Sequence, residues 1–213
     1  LTRFLDLDPE LYGVVFCRTK MDTQRLAEDL VKAGYRADAI HGDLSQAARD
    51  RVMKRFKQRD LQVLIATDVA ARGIDVNDLS HVFHFALPND QAYYTHRSGR
   101  TARAGKKGIS MSLIGFKEKY KIHNLEKGLG VEFARVDVPM ADAVVETRLR
   151  SWAMGLMAEA EGAAPPQELV DQIDLLLSPL SKEDMIARLV ARELGRLNLG
   201  HRADLNDRGP KGK

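Results

Sequence analysis

Short, dense apolar runs alternate with amphipathic stretches along the first two thirds of this 213-residue chain. "GVVFCR" (13–18) is apolar and rich in β-branched residues, and it predicts a buried strand. "DTQRLAEDLVKAG" (22–34) follows as a helix, with Leu26, Leu30 and Val31 on one face and Gly34 as its stop. "RADAIHG" (36–42) predicts a second strand. "SQAARDRVMKRFKQRD" (45–60) predicts a helix with Ser45 as N-cap and Val52, Met53 and Phe56 turned inward. "VLIATD", "HVFHFAL" and "ISMSLI" predict three more strands. Strands separated by helices imply βαβ units, hence a parallel sheet covered on both faces. Ligands of such sheets bind beyond the carboxyl ends of the strands. The polar segments "CRTK", "HGD", "TDVAARGID" and "LPND" all fall there.

From about Met140 the pattern changes, and no strand pattern appears. "ADAVVETRLRSWAMGLMAEAEGA", "PQELVDQIDLLL" and "SKEDMIARLVARELGRLNLG" read as helices, separated by Pro165-Pro166 and Ser178-Pro179. The third opens with Ser181 and Asp184 at capping-box spacing and closes at Gly200. Met185, Leu189, Val190, Leu194 and Leu197 form its apolar stripe. The expected organisation is an α/β domain over 1–139, a small all-helical domain over 140–200, and a polar, disordered tail over 201–213.

Composition narrows the function. No apolar run approaches the roughly 18 residues of a membrane span. The first residues lack a signal-peptide pattern. A lone cysteine, Cys17, excludes an internal disulfide and fits a reducing cytoplasm. The net charge of +3 is uneven: residues 1–139 carry +5 and residues 140–213 carry −2. The basic half is therefore the half expected to meet an anion.

That charge is concentrated in "HRSGRTARAGKK" (96–107), which holds five Lys and Arg and no acid. On a helix, Arg97, Arg100 and Arg103 would occupy about a third of the circumference. Three guanidiniums on one side repel unless they meet an anion, and arginine's planar fork suits phosphate. The small residues Gly99 and Ala102 suggest close approach to another surface. Asp68, which ends the strand "VLIATD", is expected to cap the following turn rather than to hold magnesium. Val69 follows it instead of a catalytic Glu, and no G-x-x-x-x-G-K-[ST] loop is present. Arginines without the lysine and metal ligands of phosphoryl transfer suggest half of an active site.

These segments, in order, resemble the C-terminal RecA-like domain of bacterial DEAD-box ATP-dependent RNA helicases. "VVFCRTK" is similar to motif IV, "HGDLSQAARD" to the segment carrying the Q-x-x-R element, "ATDVAARGID" to motif V and "HRSGRTARAG" to motif VI, with Ala102 in place of the usual glycine. The resemblance covers residues 1–139 and implies a RecA-like parallel sheet flanked by helices. It implies ATP with Mg2+ as cofactor, the magnesium held by an N-terminal RecA-like domain that this stretch lacks. It implies Arg100 and Arg103 as arginine fingers on the γ-phosphate, a contribution of about 10³–10⁵ in rate. His96 and Arg97 couple the site to the neighbouring domain, Asp75 takes the ATP ribose and Gly73 allows close approach. Arg18, Thr19, Gly42, Asp43, Gln46, Arg49 and Thr67 track the RNA backbone, which positions a strand without reading its sequence. The stretch alone is expected to be inactive. The alternatives are a stand-alone RNA-binding or dimerising module and, more weakly, a DNA translocase.

Other side chains invite blander expectations. His81 and His84 face opposite sides of a strand, so they do not form a metal pair. His41 and His123 are expected on turn and helix surfaces, and Cys17 in the core. Trp152 and the methionines of the first C-terminal helix suggest core or interface. The three C-terminal helices carry more apolar stripe than they can bury among themselves. The expected outlet is a homodimer through 140–200, with Leu189, Leu194 and Leu197 central and packing of the stripe within the chain as the alternative.

Overall fold

Because successive strand residues point to opposite faces, a sheet covered on both sides needs apolar residues at every position. The two central strands meet that demand, whereas Asp38, His81, His84, Ser110 and Ser112 interrupt the others. In the computed structural model, which describes residues 1–8, 10–71, 76, 78–88, 90–101, 107–159, 165–196 and 204–206, β1 (Gly13–Phe16), β2 (Ala37–Ile40), β3 (Val63–Ala66), β4 (His81–His84) and β5 (Ile109–Ser112) form one parallel sheet of order β2-β3-β1-β4-β5. Val14, Phe16, Ile40, Leu64, Ala66 and Val82 face one side, packed on Val52 and Phe56 of α3 (Gln46–Lys57) and Ala70 and Ala71 of α4 (Asp68–Ala71). Val15, Ala39, Val63, Ile65 and Phe83 face the other, with Leu5 of α1 (Thr2–Leu7) and Ala27 and Leu30 of α2 (Lys20–Lys32). Each such side chain contributes about 1.5–3 kcal/mol on full burial, so the two faces fix the register of the central strands. A third cluster joins Tyr94 of α5 (Gln91–Ser98) to Leu125 of α6 (Lys119–Leu129).

The fold is therefore the expected α/β, RecA-like sheet flanked by helices, with local differences. α1 lies in a stretch whose pattern predicts no element. On α2 the inward face is Thr23, Ala27 and Leu30 with Leu26 against it, whereas Val31 points outward. Residue 31 lies 100° beyond residue 30, off the edge of the stripe. Ser45 caps α3 as expected, its Oγ accepting from the Ala48 amide at 3.3 Å.

The chain divides into two compact units, Leu1–Asp137 and Val138–Leu205. The second contains α7 (Ala141–Glu159), α8 (Gln167–Leu177) and α9 (Lys182–Arg196), with α7 and α9 in contact. Ser181 caps α9: its Oγ accepts from the Asp184 amide at 3.0 Å and donates to the Asp184 carboxylate at 2.9 Å. Met185, Val190 and Leu194 are half-buried and Leu189 is exposed. Leu197 and most of 201–213 lie outside the described residues. Trp152 is half-buried, while Met154 and Met157 are exposed. Among the described residues no helix is long and apolar enough to cross a membrane.

Candidate functional site

The polar segments gather at the carboxyl end of the sheet because all five strands run the same way. After β1, Arg18, Thr19 and Lys20 are exposed. Thr19 caps α2: its Oγ1 accepts from the Asp22 amide at 3.1 Å and donates to the Asp22 carboxylate at 2.7 Å. The Lys20 ammonium reaches Asp43 in the loop after β2, 2.7 Å from Oδ2. That hydrogen bond holds the Asp43 carboxyl below its usual range and joins the two loops. Gly42, beside it, faces open space.

Gln46 opens α3 and donates to Asp50 at 2.8 Å. Arg49, one turn on, donates from Nη2 to the Ala70 carbonyl. The Q-x-x-R segment is thus tied to the helix that follows β3. The Thr67 amide donates to the Ile40 carbonyl at 3.4 Å, and its carbonyl accepts from Ala71. His41 is a correction: it is buried rather than on a turn surface, Nε2 lies 3.2 Å from Gln24 Oε1, and Nδ1 has no protein partner. It closes the end of β2 beneath the exposed loop. His123 is exposed on α6 and Cys17 is fully buried, as expected. Burial pushes the Cys17 thiol up to about 12, which leaves no thiolate nucleophile.

The arginine segment differs most from a single basic face. α5 ends at Ser98, where the Gly99 amide donates to the Thr95 carbonyl at 2.8 Å. A Cβ on Gly99 would meet that same carbonyl at 3.1 Å, so the glycine's closest neighbour is its own helix rather than another surface. Arg97 points into the protein and is 3% exposed. Its Nε and Nη2 donate to Asp68 Oδ1 and Oδ2 at 2.6 and 2.7 Å. Its Nη1 donates to the Ala86 carbonyl at 2.8 Å and lies 3.4 Å from His84 Nδ1. The guanidinium also stacks 4.9 Å above the Phe16 ring. Asp68 therefore holds Arg97 rather than capping a turn. Both Asp68 oxygens are thus engaged by Arg97, and among the described residues there is no group of three or more His, Cys, Asp or Glu that could hold a metal ion.

Beyond α5, the Arg100 amide donates to the Arg97 carbonyl at 3.1 Å. Thr101 is buried, donates from Oγ1 to the Leu79 carbonyl and forms a parallel bridge with Leu79. Arg100 thus sits between two anchored neighbours, and His96 is exposed. Arg103, Gly73 and Asp75 lie outside the described residues. Sequence reasoning missed His84, which is fully buried among Arg97, Ser98, Ser110 and Tyr94. The signal was present: a histidine on an inner strand of a doubly covered sheet has no route to solvent.

The site is therefore built on a RecA-like α/β sheet, with basic and hydroxyl-bearing loops at one end and an arginine segment pinned beside them. Residues 3–105 match the family of the helicase conserved C-terminal domain. DEAD-box ATP-dependent RNA helicase CshA of Bacillus thuringiensis is 43% identical over 161 residues, which is 76% of this chain and 30% of that protein. Among solved structures, the C-terminal domain of the DEAD-box protein Dbp5 is 35% identical with a TM-score of 0.58, over 63% of this chain and 79% of that one. Saccharomyces cerevisiae Dbp5 bound to RNA and ADP BeF3 is 33% identical with a TM-score of 0.61, over 69% of this chain and 41% of that one. The chain belongs to the DEAD-box RNA helicase family, whose C-terminal helicase domain it carries. It spans about a third of the length of the curated relative it matches.

Proposed function

We propose that this chain is the C-terminal half of an ATP-dependent RNA helicase. It supplies Arg100 and Arg103 as fingers on the γ-phosphate of an ATP bound by a partner N-terminal RecA-like domain. Asp75 and Gly73 take part in holding that nucleotide. Arg18, Thr19, Gly42, Asp43, Gln46, Arg49 and Thr67 form part of the track for the RNA backbone. The observation that carries the reading is the bidentate Asp68–Arg97 pair, 2.6 and 2.7 Å. It binds the start of α4, which follows β3 and Thr67, to α5, the helix that precedes Arg100. In this reading His96, exposed one residue before Arg97, meets the neighbouring domain. A cytoplasmic setting suits the single buried Cys17.

ATP hydrolysis by the whole protein, measured with and without RNA, tests this reading. RNA-stimulated turnover is expected in the whole protein and none in residues 1–213 alone. Hydrolysis by residues 1–213 alone would show that the fingers do not need a second domain and would overturn the division of labour.

The helical unit supports a further partner, a second copy of the chain. On α8, Leu169, Val170, Ile173, Leu175 and Leu176 are all exposed, and so much clustered apolar surface favours association. Sedimentation equilibrium of the 23.8 kDa chain at micromolar concentration should give twice that mass. Ile173→Glu with Leu176→Glu should return it to the mass of one chain. A single-chain mass for the unaltered protein at high micromolar concentration would remove the dimer.

A further inference from the structure

Resting on the proposed hydrolysis, we infer that His84 is a positioning residue: hydrogen-bonded through both ring nitrogens, it ties the Arg97 guanidinium to the end of α5 and so fixes the segment that begins at Arg100. His84 is the last residue of β4 and is fully buried. Its Nδ1 lies 3.4 Å from Arg97 Nη1. Its Nε2 lies 3.3 Å from Ser98 Oγ, at the end of α5, and 3.1 Å from Ser110 Oγ, in β5. The ring stacks on Tyr94 at 4.4 Å and 13°. One side chain thus joins β4, α5 and β5.

The partners dictate the tautomer. A guanidinium only donates, so Nδ1 must present its lone pair. The proton then sits on Nε2 and is donated into the serine pair. A second ring proton would set two cations side by side without solvent. Consistently, burial first and the Arg97 charge second push the His84 imidazole down to about 3.

The serines do not require the histidine. Their hydroxyls lie 2.8 Å apart, and the Tyr94 hydroxyl is 3.3 Å from Ser110. What His84 adds is a second acceptor for Arg97 Nη1, beside the Ala86 carbonyl, and a link from that guanidinium to Ser98. Asp68 grips Arg97 from the start of α4, His84 from the end of β4 and Ala86 from just beyond it. Together they leave the arginine one orientation, and with it the turn that carries Arg100.

Two measurements test this. In the 213-residue chain at pH 6, long-range nitrogen–proton correlation of the His84 ring should show the neutral Nε2–H form; the Nδ1–H form or an imidazolium overturns the hydrogen-bond assignment. In the whole enzyme, His84→Leu should lower the kcat of RNA-stimulated ATP hydrolysis about tenfold to a hundredfold, as misplacement of a reacting group does. KM for RNA and for ATP should stay within about twofold, because the loops that bind them are intact. Phe83→Leu, a core change on the opposite face of the sheet, should lose stability and keep kcat. Ser98→Ala, a milder change that cuts the link from His84 to the end of α5, should also lower kcat without moving either KM, and it carries the kinetic test if His84→Leu does not fold. Unchanged kcat in the folded variant overturns the positioning role. An unaltered enzyme without RNA-stimulated hydrolysis overturns the underlying function instead, while the ring spectrum still decides the tautomer.

Discussion

Arg100→Ala or Arg103→Ala in the whole enzyme is expected to lower kcat by about 10³–10⁵, the range of an arginine finger. Nucleotide affinity should change far less, because the contact strengthens as charge develops on the transferring phosphoryl group. The surroundings of Arg100 explain why so much can rest on one side chain. Arg97 before it is locked to Asp68, and Thr101 after it is locked to the Leu79 carbonyl. A group held on fixed backbone needs little reorganisation when the charge appears. Lysine at either position should fail nearly as badly, since an ammonium cannot reproduce the planar fork. Steady-state ATP hydrolysis at saturating RNA decides it. Either alanine variant retaining near-normal kcat would remove that residue as a finger.

The framework of the domain was legible because it rests on local signals. Apolar runs marked the strands, Ser45 and Ser181 marked helix starts, and the strand direction placed the polar loops at one end of the sheet. Four ordered motifs made the family readable as well. What escaped reading was pairing over distance. Arg97 and Asp68 are 29 residues apart, and nothing near either residue announces the other. In a run of five basic residues nothing local marks the one that is buried, so Arg97 entered the same basic face as Arg100. Periodicity assigns directions on a helix, and here the helix stops at Ser98, before the second arginine. His41 and His84 escaped for a related reason. His84 stands on β4, inside the sheet, where burial demands a neutral, hydrogen-bonded ring; His41 follows β2 at the edge of the sheet, where no local signal marks its burial.

Asp68→Ala is expected to destabilise the RecA-like unit by about 3–5 kcal/mol, because it strands a guanidinium in the interior rather than merely deleting an attraction. Arg97 is 3% exposed and the Asp68 side chain 27% exposed, so solvent cannot replace the lost carboxylate. Four of the five guanidinium N–H groups have protein partners, and two of those partners are Asp68 oxygens. The Ala86 carbonyl and the Phe16 ring remain in the variant, which keeps the loss from growing further. Asp68→Asn retains one acceptor and should lose less. Urea unfolding, followed by amide exchange in β1 and β3, reports the central sheet separately from the helical unit. A loss under about 1 kcal/mol in Asp68→Ala, the range of an exposed pair, would mean that the pair is not a buried anchor. The double variant Asp68→Leu with Arg97→Met separates anchoring from stability. Replacing a buried ion pair by apolar side chains of similar size is often neutral, so the sheet should regain most of its lost stability. RNA-stimulated hydrolysis in the whole enzyme should nevertheless be abolished, since no guanidinium then ties the start of α4 to the turn that presents Arg100. Recovery of both stability and kcat in the double variant would show that the pair serves the fold alone.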